Sequence, residues 1–122
     1  MPHPNHYSVC NDTKWLELRA CMLAVPPALR PSFRSKFLLN GYVSRWDSEW
    51  HYHFLEGGFT NVEWFDLKFE LSPTEALVND ILAIGLAGFG TEHGVRLLGY
   101  APNGTEARLL DWGDFPPPLA SQ

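Results

Sequence analysis

His51 and His53 are separated by a single tyrosine, with carboxylates close by at Asp47, Glu49 and Glu56. On an extended strand, residues two apart project from one face, so both imidazoles could reach one metal ion. Glu49 shares their parity and could be a third ligand, whereas His93 lies far off in sequence. The same carboxylates could instead do acid–base work beside an imidazole. Two histidines on the solvent face of a half-buried strand produce the same pattern without any chemistry. A small metal-binding protein or enzyme using His51, His53 and the nearby carboxylates is therefore the second reading.

Other routes to catalysis have less support. There is no GxSxG, and Cys21 falls inside an expected helix instead of an electropositive elbow. Gly85-Leu-Ala-Gly-Phe-Gly90 follows an expected helix instead of preceding one, and no Lys-Ser/Thr comes after it, so it is not a phosphate loop. Cys10 and Cys21 have no CxxC spacing and read as free thiols, Cys21 as a small buried hydrophobe. The expectation is a protein that is not an enzyme and carries no cofactor.

The remaining chemistry is recognition. The stretch from Gly41 to Phe69 holds three of the five Trp, two of the four Tyr and four of the eight Phe, interleaved with acids. Trp46 lies beside Asp47 in a polar segment, and Trp64 falls on the opposite strand face from Phe65, Leu67 and Phe69. Aromatics ringed by charge suit an interface, where Trp and Tyr anchor and charges steer. The expected partner-binding set is Trp46 and Trp64 as anchors, with Asp47, Glu49, Glu56, Glu63 and Asp66 as charged contacts. A terminal segment covering that second face would explain the same residues.

Elements to position these groups can be read along the chain. Residues 1–11 read as a tail. Asp12 or Thr13 can cap a helix to about Ala24, with Trp15, Leu18 and Met22 on one face, ended by Pro26 and Pro27. Phe33 to Leu39 alternates as a strand, Asn40-Gly41 turns, and a short strand from Tyr42 gives way to a loop. Trp50 to Leu55 reads as a strand with Trp50, Tyr52 and Phe54 facing the core, and Val62 to Glu70 as another. Ser72, Pro73 and Glu75 form a capping box for a helix ending near Gly85. Strands over about 94–101 and 106–112 follow, joined by a Pro102–Thr105 turn, and 116–122 is a tail. The order predicts a single α+β domain over 1–122, with its core at about 12–113. Its sheet would be mainly antiparallel with about five strands, and two helices would pack on one face.

At 122 residues and 45% hydrophobic, the chain can bury one core. The net charge of −5 is uneven: residues 1–45 carry six basic and two acidic side chains, and residues 46–122 carry three basic and twelve acidic. That balance disfavours nucleic acid, whose phosphates need clustered Lys and Arg, and favours a basic partner. No apolar run approaches the roughly 20 residues that span a bilayer, and no secretory signal opens the chain, so a cytoplasmic location is expected.

The segments Thr13-Lys14-Trp15, Gly41 to Phe54, Val62-Glu-Trp-Phe65 and Gly94 to Tyr100 resemble a family of small uncharacterised bacterial proteins, over roughly residues 13–109. That family implies no catalytic residues. Size, acidity and aromatic loops are also similar in style to immunity proteins, which bind a cognate toxin domain and block it. The resulting expectation is an immunity-type inhibitor of a basic toxin or effector domain, with a homodimer seam as a further possibility.

Overall fold

A computed structural model describes residues 4–117, and the outermost parts of the two expected tails, 1–3 and 118–122, lie outside the described residues. Two helices pack on one face of a four-stranded antiparallel sheet, and a separate two-stranded sheet pairs residues 6–8 with residues 100–102. The α+β class holds, with six strands in two sheets in place of one five-stranded sheet.

Helix α1 (Asp12–Ala24) buries Trp15, Leu18 and Met22, as its apolar spacing requires. Its cap is Asn11, whose side chain accepts from the Lys14 N–H, one residue earlier than expected. Helix α2 (Glu75–Ile84) buries Leu77, Val78 and Ile81. Its cap is Thr74 and not Ser72, because the Thr74 hydroxyl accepts from the Leu77 N–H. Gly85 ends it at φ 81°, a left-handed conformation that glycine adopts without strain.

The large sheet runs in the order β2 (Ser32–Phe37), β3 (Val62–Lys68), β5 (Gly94–Leu98), β4 (Gly88–Gly90). Its register aligns Phe33 with Leu67 and Val95, and Ser35 with Phe65 and Leu97, on the face beneath the helices. The opposite face carries the rows Arg34–Asp66–Arg96 and Lys36–Trp64–Leu98. Both outer edges are covered. Single bridges from Val43 and Asp47 pair with β2, and a bridge from Leu109 to Ala87 lies beside β4.

Four expected elements are overturned. Residues 6–8 form strand β1 (His6–Ser8), paired with β6 (Tyr100–Pro102), where a tail was expected. The 94–101 strand is split at Gly99, which turns its N–H to the Glu63 carbonyl. The 106–112 strand reduces to the single Leu109 bridge followed by a 3-10 turn over Trp112–Asp114. Most consequential, Trp50 to Leu55 is no strand but a turn leading into a 3-10 turn over His53–Leu55.

Candidate functional site

The turn that replaces the expected strand is built by Glu49. Its carboxylate accepts the backbone N–H groups of His51 (2.9 Å), Tyr52 (3.0 Å) and His53 (2.8 Å), so they need no ladder partners. Those N–H groups hold the Glu49 carboxyl below its ordinary pKa, the His53 bond most strongly. One residue pair earlier, Asp47 accepts the Glu49 N–H through Oδ1 at 2.8 Å and meets His53 Nδ1 through Oδ2 at 2.8 Å. The Asp47 hydrogen bond and charge push the His53 pKa up from its ordinary value.

The turn is tied to the rest of the fold at both levels. Arg19 of α1 donates to the carbonyls of Trp50 (3.0 Å) and His51 (2.7 Å). Beneath, Trp50 and Phe54 are buried against Phe33, with ring centroids 4.6 and 5.3 Å away, and the Trp50 indole N–H donates to the Pro31 carbonyl at 2.9 Å. Helical and turn geometry thus put Trp50 and Phe54 in the core and leave Tyr52, expected there by strand parity, 76% exposed. His51 and His53 are exposed as well.

The strand that was to align His51 and His53 on one metal is absent, and His53 Nδ1 is engaged by Asp47. Among the described residues no group of three or more His, Cys, Asp or Glu is placed to hold a metal ion. The geometry offers instead an Asp47–His53 dyad at the wall of a cleft of about 390 Å³. The cleft opens between the 42–47 and 53–58 segments and descends to Phe33, Phe54, Phe65 and Val62.

The expected anchors lie elsewhere. Trp64 is only 6% exposed, with the Arg96 guanidinium 3.8 Å above its ring. Trp46 is half-buried under Arg34 (4.4 Å) and Lys68 (4.8 Å), with His93 packed edge-on at 5.4 Å. Asp66 is 1% exposed, held by Arg34 and Arg96. Glu63 pairs with Lys36 at 3.3 Å. Of the expected charged contacts, Asp47 and Glu49 are half-buried in the turn and Glu56 is exposed beside it. The expected set is thus divided between the turn (Asp47, Glu49, Glu56) and the outer sheet face (Glu63, Trp64, Asp66), with Trp46 packed on that face.

Several residues missed by sequence reasoning come to the fore. Tyr42 is 56% exposed and stacked on Phe37, and Val43 and Leu39 are exposed close by in sequence. The Asn40-Gly41 turn signal could have located this tip, since it projects the residues that flank it.

A family model described as a family of unknown function, DUF6678, matches residues 2–104. Comparison with curated proteins and with solved structures gives no match.

Proposed function

The chain belongs to DUF6678, a family of unknown function, and from that premise we propose that it acts by binding another protein, as a cytoplasmic immunity-type inhibitor of a basic toxin or effector domain. The observation that carries this reading is Tyr52, 76% exposed on a turn whose three successive N–H groups Glu49 holds. An aromatic ring presented on a pinned backbone loses little freedom on docking, which is how a few tyrosines come to dominate an interface. Tyr42 provides a second exposed ring, and the excess of acidic residues supports a basic partner. In this reading Tyr52 and Tyr42 take the anchoring role first expected of Trp46 and Trp64, with Glu56 steering beside them.

The test uses the protein encoded by the adjacent reading frame. Its expression in a bacterial host should arrest growth, and co-expression of this chain should restore it. The double variant Tyr42→Ala/Tyr52→Ala should lose that protection while remaining folded. Growth arrest unaffected by the wild-type chain would overturn the reading.

The Asp47–His53 contact favours a second reading, an imidazole poised for acid–base chemistry. A His51→Ala/His53→Ala double variant separates the two, because it would abolish turnover but leave partner binding in place.

A further inference from the structure

We propose that the cleft between the 42–47 and 53–58 segments is a binding site for a single aromatic amino acid in its zwitterionic form. The site does not rest on the partner-binding reading, although the two share Tyr42 and Glu56, which also line the cleft.

Three features of the cleft point to that ligand. The floor consists of the buried Phe33, Phe54, Phe65 and Val62, and the more accessible rings of Phe37, Tyr42 and Trp46 also line the cleft, an apolar lining that suits a planar aromatic group. A volume of about 390 Å³ falls within the range of small-molecule sites.

The second feature is Ser35. It shares the core face of β2 with Phe33, lies opposite Phe65 and is 8% exposed. Among the described residues its hydroxyl has no hydrogen-bond partner, although it lines the cleft. Neighbouring Ser44 is satisfied: its hydroxyl accepts the Ser35 N–H at 2.9 Å and donates to the Arg45 carbonyl at 3.1 Å. A buried hydroxyl left unpaired is costly, and a ligand bearing an indole N–H or a phenol would satisfy it.

The third feature is charge. Arg45 and Glu56 both belong to the cleft wall, have opposite signs and form no ion pair among the described residues. Asp47 and His53, also in the wall, are engaged with each other. The two opposite charges thus suit a ligand carrying a carboxylate for Arg45 and an ammonium for Glu56 at one end of an aromatic ring.

Proton–nitrogen NMR titration with L-tryptophan and L-phenylalanine tests the proposal, with N-acetyl-L-tryptophanamide as the uncharged control. Saturable shifts centred on Ser35, Phe54 and Val62 are expected. Arg45→Gln and Glu56→Gln, both at exposed positions, should each weaken binding about tenfold or more, and the control amide should bind at least as poorly as these variants. Ser35→Ala should weaken L-tryptophan and leave L-phenylalanine unchanged. Absence of saturable shifts at about 10 mM ligand, shifts centred elsewhere, or equal binding of the uncharged amide would each overturn it.

Discussion

Arg96 and Asp66 face each other across β5 and β3, joined by two hydrogen bonds of 2.7 and 3.0 Å. Arg34 closes on the same carboxylate from β2 at 3.2 Å. The two guanidinium groups in turn cover Trp64, with Arg96 at 3.8 Å from its ring and Arg34 at 6.0 Å, and Arg34 also meets Trp46. One acid at the centre of the sheet therefore holds two arginines flat, and the arginines serve as the third layer over this face.

Asp66→Ala removes the acceptor and leaves two cations crowded on one face. Breaking a buried pair in this way costs roughly 3–5 kcal/mol. Urea denaturation should show a loss of at least about 3 kcal/mol, with binding unaffected in whatever fraction remains folded. A loss within experimental error would mean that the arginines find water at no cost.

Trp64→Ala should behave as a core truncation, with a loss of about 3 kcal/mol, because the ring is nearly fully buried. Tyr52→Ala should leave the melting temperature unchanged, since its ring is exposed. If the two results were reversed, Trp64 would be the docking residue.

The Asp47–His53 contact makes a pH prediction with a definite sign. His53 has its folded pKa raised, so its contribution is fully present below the unfolded value and is lost as pH rises through the folded one. Glu49 has its folded pKa lowered, so its contribution is present above the unfolded value and is lost as pH falls through the folded one. The turn is held best between the ordinary Glu value of 4.5 and the ordinary His value of 6.5. Amide exchange of Tyr52 and His53, corrected for intrinsic rates, should be slowest in that window. Asp47→Asn should return the His53 imidazole towards its ordinary value in an NMR titration.

Gly88 explains why a three-residue strand persists beside β5. A Cβ at this position would lie 2.0 Å from the Arg96 carbonyl oxygen, so the two backbones approach more closely than any side chain allows. Gly88→Ala should destabilise the fold by roughly 1–3 kcal/mol, as overpacking does, and circular dichroism melts will measure it. The same substitution at Gly58 meets no neighbouring atom, and its effect should come from the positive φ of 71° alone.

Both helices and β3 were legible because their signals are local. Trp15, Leu18 and Met22 repeat at helical spacing, and Phe65 and Leu67 alternate with Trp64 and Asp66 in the sequence as they do in space. The cap positions were each misplaced by one or two residues, since Asn, Asp, Ser and Thr near a helix start all offer a suitable oxygen. The candidate site was harder to read. Trp50 to Leu55 alternates as a strand does, yet Glu49 supplies acceptors to three consecutive N–H groups and makes a turn cheaper than a ladder.

The sequence by itself determined the α+β class, the two amphipathic helices, the faces of β3 and the aromatic weight of residues 41–69, because each depends on neighbours within a few positions. Only the tertiary structure decided that Trp64 and Asp66 are interior and Tyr52 is exterior. The first depends on Arg34, Asp66 and Arg96 meeting across three strands from distant parts of the chain, a long-range register that no local pattern encodes. The second depends on the Glu49 carboxylate turning back onto three successive N–H groups, a competition with strand pairing that alternation alone does not reveal.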